Sequence, residues 1–351
     1  MLGTLVATAT TAAAIHHRRI AQVRSLATER LGDYELGKLQ PDREYVVTAD
    51  DGVSLSVEEV DPADGGAPEF TVVLVHGYTL NRQCWHFQRL DLALSTAPRV
   101  RQVLYDQRSH GRSDPSHRHA CTIEQLGWDL DAVIRAAAPE GRVVLIGHSM
   151  GGMTIMALAE HNPEIFAERI CGVAFLNTSA GDIGRSGLPR PFLSRRNPVM
   201  LAAARLSRWQ PGAVEQSRYI GRQLIWSLIR RLAFGDEAVD PARVELMDTM
   251  MRGTSLEVMT DFLPTLGAHN RYAALAGLQY VKALVIGAEA DLLVQYEHSE
   301  AIAALLPDVE LVRVPDSGHM TMLEQPELVN EYLLDLLSQL TGAQPGSRRQ
   351  A

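Results

Sequence analysis

Cysteine is almost absent from this chain: Cys84, Cys121 and Cys171 are scattered, odd in number and without CxxC spacing. That argues against a disulfide framework and a cysteine-based zinc site, and predicts small buried thiols in a reducing compartment. Positive charge is also in deficit, with 33 Lys and Arg against 42 Asp and Glu and a net charge of -9, which argues against nucleic acid as the main partner. Internal repeats and long apolar runs are lacking too. The longest candidate for an anchor, "MLGTLVATATTAAAI", has 15 residues. As a helix it would reach about 22 Å, against roughly 30 Å of hydrocarbon. No basic region precedes it, so it fits a secretory signal poorly and cytoplasmic residence is expected. The basic cluster His16 to Arg19 follows the run, which suits either a weak membrane-surface contact or a loosely packed helix. The C-terminal "TGAQPGSRRQA" reads as a disordered tail.

The 351 residues suffice for one large core with an insertion. Two β-rich runs flank Asp50-Asp51-Gly52 in "REYVVTADDGVSLSVEEV", a hairpin signal. Six short, continuous apolar runs follow: 70–77, 101–106, 142–147, 172–177, 282–287 and 310–314. Separated by helix-length segments, such runs predict a mostly parallel sheet covered on both faces, entered through an antiparallel hairpin. The class is α/β. About a hundred residues separate "GVAFLN" from "KALVIG", too many for one crossover helix. Stretches 198–209, 217–234 and 241–253 carry helical patterns, so the insertion is read as a helical cap over the carboxyl ends of the strands. The expected organisation is an N-terminal segment 1–40, core 41–180, cap 181–270, core 271–340 and tail 341–351.

In "RVVLIGHSMGG" a strand pattern meets a helix pattern at Gly147-His148-Ser149-Met150-Gly151. A turn this tight forces an unusual backbone at its apex and leaves no room for side chains beside it, hence the glycines. Ser149 is then presented at the top of the sheet and the amino end of a helix, where backbone N–H groups favour developing negative charge. The bland alternative is a serine that merely caps the helix. A serine hydroxyl needs a base, and the base an orienting acid. "ALVIGAEAD" supplies Asp291, with Glu289 as the fallback, and "ELVRVPDSGHM" supplies His319 after the last strand. Asp316 lies too near His319 to orient it. His269 and His298 lack strand-end context, and His110, His117 and His119 read as a solvated polar loop. Two donors are needed for the oxyanion. Met150 N–H follows the nucleophile, and "VVLVHGYTLN" offers Tyr78 N–H, with Thr79 as an alternative. His76 reads as a structural residue beneath that loop.

HGYT at 76–79, DQRSHGRSD at 106–114, GHSMGG at 147–152, the GxxxD ending at Asp291 and the SGH ending at His319 together resemble the α/β-hydrolase superfamily. They are most similar to its capped serine esterases, monoacylglycerol-type lipases and cofactor-free haloperoxidase-like members, over residues 43–340. The resemblance implies structural roles for Asp106, Arg108, Gly111 and Ser113. Epoxide hydrolases and haloalkane dehalogenases of similar fold carry aspartate where Ser149 stands, and a serine forms an acyl-enzyme from a carbonyl instead. The expectation is a carboxylic-ester hydrolase acting on a lipid-like or other apolar ester, with no metal or organic cofactor. Thioester hydrolysis, C–C cleavage and perhydrolysis by the same triad remain alternatives, as does a non-catalytic ligand-binding protein. Residues 181–235 hold ten arginines against Asp182 and Glu215. Such a basic amphipathic stretch suits either contact with an anionic membrane or a solvated cap surface.

Overall fold

The computed structural model describes residues 36–184, 230–236 and 238–341. The N-terminal run and its basic cluster, the patterns at 198–209 and 217–229, and the tail from 342 lie outside the described residues.

Eight strands form one sheet: β1 (Arg43–Thr48), β2 (Ser54–Val60), β3 (Phe70–Val75), β4 (Val100–Tyr105), β5 (Val143–His148), β6 (Ile170–Leu176), β7 (Lys282–Ala288) and β8 (Val309–Val314). Their order is β1-β2-β4-β3-β5-β6-β7-β8. The hairpin β1–β2 and the β2–β4 pair are antiparallel, whereas β3 to β8 run parallel. The continuous apolar runs follow from burial of both faces. In β3, Val72 and Leu74 enter one core while Val73 and Val75 enter the other; in β5, Val144 and Ile146 oppose Val143 and Leu145 in the same way. Alternation would appear only if one face met water.

The first face is covered by α1 (His86–Leu94) through Leu92 and by α9 (Pro326–Leu340) through Leu333, Leu336, Leu337 and Leu340. The second is covered by α2 (Ile123–Ala137), α3 (Met150–His161) and α7 (Tyr296–Ala303), with Leu130, Ile134, Ile155, Leu158 and Ile302 in its core. Short helices α4 (Pro163–Glu168) and α8 (Thr321–Glu324) complete the wrapping.

The insertion between β6 and β7 contributes α5 (Pro241–Arg252) and α6 (Leu256–Ala268). Pro241 sits at the start of α5 behind Asp240, whose carboxylate accepts the Ala242 N–H; Ser255 caps α6 by accepting the Val258 N–H. A third, smaller apolar cluster joins α6 to the core: Phe262 and Leu266 meet Ile123 and Leu126 of α2 and Met150 and Met153 of α3. Among the described residues no helix is long and apolar enough to cross a membrane.

Candidate active site

The β5–α3 turn has the tightness its glycines imply. A Cβ on Gly151 would lie 2.1 Å from the Val75 carbonyl oxygen, and one on Gly147 would lie 2.6 Å from the Gly152 nitrogen. Backbone therefore packs directly on backbone, and α3 starts hard against β3 and β5. Ser149 occupies φ 51°, ψ -117°, a conformation that side-chain-bearing residues rarely adopt. Its amide donates to the Leu176 carbonyl at 3.0 Å, and its own carbonyl accepts the Thr178 hydroxyl at 2.6 Å. The turn is thus held from β6. Ser149 stands at the N-cap position of α3, yet its side chain makes no capping hydrogen bond. A capping role does not account for it.

Asp291 and His319 are brought together from the loops after β7 and β8. His319 Nδ1 meets Asp291 Oδ2 at 2.7 Å, with both side chains buried. The same carboxylate oxygen accepts Asn177 Nδ2 at 3.0 Å, and Oδ1 accepts the Leu293 and Val294 N–H groups at 2.8 and 2.9 Å. Burial opposes ionisation of Asp291. The histidine beside it, the Asn177 amide and the Val294 N–H outweigh that burial and hold the carboxyl below its usual range. Glu289 is elsewhere: its half-exposed carboxylate pairs with Arg313 at 3.0 Å.

The loop carrying His319 is fixed from three further directions. His148 Nε2 donates to the His319 carbonyl at 2.9 Å, and burial pulls that imidazole down to about 3, so it is neutral at ordinary pH. The Asn177 amide also donates to the Gly318 carbonyl. Glu324 of α8 accepts the Gly318 N–H at 2.7 Å on one oxygen and the Gly235 and Asp236 N–H groups at 2.8 and 3.1 Å on the other. Burial raises the Glu324 carboxyl above its usual range despite those donors.

On the opposite side, the β3 loop passes the turn at close quarters. A Cβ on Gly77 would lie 2.7 Å from His148 Nδ1 and 3.2 Å from Ser149 Cβ. Tyr78 follows directly. The Thr79 N–H is engaged by His110 Nε2 at 3.2 Å, so it is not free to meet a substrate oxygen. Neither Tyr78 N–H nor Met150 N–H is spent on a hydrogen bond among the described residues. His76 lies beneath the loop, its Nδ1 donating to the Gly77 carbonyl and its Nε2 accepting the Gln107 N–H.

Ser149, His319 and Tyr78 open onto one cavity of about 300 Å³. Its wall is apolar and rich in thioethers, with Met153 and Met320 from the core and Met247, Met251 and Met259 from α5 and α6. Methionine is flexible and polarizable, so such a wall adapts to apolar groups of differing shape. No hydrogen bond joins Ser149 Oγ to the imidazole, as is common before a substrate tightens the site.

A family model described as the alpha/beta hydrolase family matches residues 72–332. The chain belongs to that family. Among its relatives is the putative carbamate hydrolase RutD of Yersinia enterocolitica, 26% identical over 273 residues, covering 78% of this chain and 88% of that protein. Similar solved structures include a thermophilic esterase from Thermogutta terrifontis, 24% identical with a TM-score of 0.65, covering 85% of this chain and 99% of the other. The enol-lactonase from Burkholderia xenovorans is 23% identical with a TM-score of 0.63, covering 84% and all of that chain.

In this α/β hydrolase the DQRSHGRSD segment is internal architecture. Asp106 accepts from Arg82 and from the Arg112 N–H, and Arg108 bridges Asp129 and Asp51. The Ser113 hydroxyl donates to the Asp106 carbonyl. One expectation needs correction. His117 and His119 are exposed, but His110 is buried between Thr79 and Phe262 of α6, with ring centroids 5.4 Å apart in the latter pair. The polar composition of its loop conceals an insertion that covers it. Among the described residues no group of three or more His, Cys, Asp or Glu is placed to hold a metal ion. Sequence reading passed over Asn177, His148 and Glu324. Asn177 carried a signal, being a polar residue at the end of an apolar strand, as Ser149 and Asp291 nearly are.

Proposed function

We propose that the protein hydrolyses a carboxylic ester with an apolar acyl or alcohol part, through an acyl-enzyme on Ser149. Ser149 Oγ attacks the carbonyl carbon while His319 Nε2 takes its proton, and Asp291 holds the imidazole in the required tautomer through Nδ1. The N–H groups of Tyr78 and Met150 receive the oxyanion of the tetrahedral intermediate. His319 returns the proton to the departing alcohol. Water then attacks the acyl-enzyme, His319 takes the water's proton, and the acid leaves as the proton returns to Ser149. α5 and α6 act as part of a cap that excludes water and supplies the apolar wall.

One observation carries the reading. A serine in a left-handed conformation, with a hydroxyl that caps nothing, shares a cavity with an imidazole already fixed by a buried carboxylate. A binding module has no use for that combination. The relatives named for carbamate, ester and lactone substrates act at carbonyl carbons, which is the electrophile a serine needs. A thioester would serve the same machinery, and competition between matched esters and thioesters separates the two.

Fluorophosphonate labelling is the direct test. The wild type is expected to be labelled covalently, and Ser149→Ala to lose labelling together with about 10⁴- to 10⁶-fold of its ester hydrolysis rate. Thermal stability of that variant should be little changed, because the hydroxyl removed caps nothing and alanine keeps both the backbone hydrogen bonds and the Cβ that strains the turn. A folded wild type that takes no label, with activity matched by Ser149→Ala, sinks the proposal.

A further inference from the structure

The Tyr78 side chain does something its backbone role does not require. Its hydroxyl donates to the Met259 carbonyl of α6 at 2.5 Å, spanning 181 residues of sequence. Burial pushes the phenol far above its ordinary range, so it remains a donor at all working pH values. Next to it, the Thr254 hydroxyl donates to the Thr79 carbonyl at 3.3 Å, and the ring of Phe262 packs on His110, which holds the Thr79 N–H. Segment 254–262 therefore grips the β3 loop at two points and, through His110, at a third. Met259 meanwhile lines the cavity. One residue thus both lines the pocket and holds the Tyr78 loop with its carbonyl.

Resting on the ester-hydrolase reading above, we infer that the Tyr78 hydroxyl is a positioning group that couples filling of the apolar pocket to the oxyanion donor. A substrate whose apolar group packs against Met259 fixes α6, and α6 fixes the Tyr78 N–H through the phenol. A substrate too small to reach Met259 leaves the loop looser. The device makes turnover, rather than binding alone, depend on the size of the apolar group, as expected when remote binding energy is used at the reacting centre. Misplacing a catalytic donor by about 1 Å can cost on the order of 10²-fold in rate, so a single hydroxyl suffices as the lever.

Tyr78→Phe removes that hydroxyl alone and keeps the backbone N–H and the ring's packing against the apolar cluster of α2, α3 and α6. The measurement is kcat and KM for p-nitrophenyl acetate and for a series of longer acyl esters. In the wild type, kcat is expected to rise as the chain lengthens toward filling the pocket. In Tyr78→Phe, kcat for the best long-chain ester should fall about 10- to 100-fold, with KM little changed and acetate turnover reduced far less. A purely structural role would instead lower the midpoint of thermal unfolding and depress all substrates alike. Equal losses for acetate and long-chain esters, or no loss for either, overturn the inference. Should Tyr78→Phe fail to fold, Thr254→Val, which removes the neighbouring tie to the Thr79 carbonyl, is read by the same criterion with a smaller expected effect. Fluorophosphonate labelling of the wild type keeps the two proposals apart. A labelled wild type with a flat Tyr78→Phe comparison overturns the coupling alone, whereas an unlabelled one overturns the hydrolase reading beneath it.

Discussion

The two sides of the cavity are built on opposite principles. Around His319 nearly every polar atom is satisfied: four donors converge on Asp291, Glu324 accepts three backbone N–H groups, and His148 closes on the His319 carbonyl. Around Ser149 polar groups are left without a hydrogen bond among the described residues, namely its hydroxyl and the N–H groups of Tyr78 and Met150. Saturation fixes the His319 imidazole in one orientation, and the tight glycine turn fixes Ser149 without using its side chain. On the proposed mechanism, the strained and open side receives the substrate while the saturated side supplies rigidity.

Replacing Asp291 with asparagine is the strongest way to break that contrast. Both carboxylate oxygens accept hydrogen bonds, so whichever one becomes an NH₂ group faces a donor. The variant either reverses the His319 tautomer or abandons the backbone N–H groups of Leu293 and Val294. A fall in kcat of about 10³- to 10⁴-fold is expected, with fluorophosphonate labelling slowed in parallel. Retention of kcat within about tenfold would mean that the saturated side is not where the acid acts.

How far the sequence showed this arrangement depends on the range of the signal. Ser149, Asp291 and His319 each stand at or just past the end of an apolar run, so a short local pattern placed them at one rim of the sheet. That β3 to β8 would run mostly parallel was equally legible, because burial on both faces erases alternation within each strand. The supporting residues were hidden because their roles depend on what lies beside them. Glu324 looks like any acidic residue near a helix, and only the close approach of Gly235 to Gly318 explains its position. His110 was misjudged for the same reason, its loop being polar in composition and buried by Phe262 from more than a hundred residues away.

Acid should probe the buried histidines around the site rather than His319, the base of the proposed mechanism. Burial depresses His76 to about 4 and His110, His148 and His269 to about 3. Above about pH 6.5 these groups are neutral in both the folded and unfolded chain and contribute nothing to pH dependence. Below that value the unfolded chain takes up protons that the folded one refuses, so stability falls with pH until the folded values are reached. At pH 5 each such histidine costs on the order of 1–2 kcal/mol. The melting midpoint is therefore expected to drop steeply between about pH 6.5 and 4, before most carboxylates titrate. Protonated His110 would also turn an N–H toward the Thr79 N–H it now accepts, loosening the open side as well as the saturated one. A midpoint that stays level from pH 7 to 5 contradicts this account of the buried imidazoles.

The smallest effect belongs to Glu289, and its smallness is informative. It lies two residues before Asp291 on the same strand end, carries the same charge and would satisfy the same sequence pattern. Its backbone is engaged, with the N–H donating to the Val314 carbonyl at 2.9 Å, but its carboxylate turns to Arg313 on the surface of β8. A half-exposed pair of that kind contributes about 0–1 kcal/mol and is screened by salt. Glu289→Gln should therefore leave kcat/KM within about twofold and change stability by less than about 0.5 kcal/mol, since surface substitutions away from buried networks rarely do more. Matched against Asp291→Asn, the pair isolates what two residues of strand geometry are worth: one carboxylate is buried against His319, the other pairs with Arg313 at the surface. A loss in Glu289→Gln rivalling that of Asp291→Asn would move the acid two residues back and require the loop after β7 to turn over during catalysis.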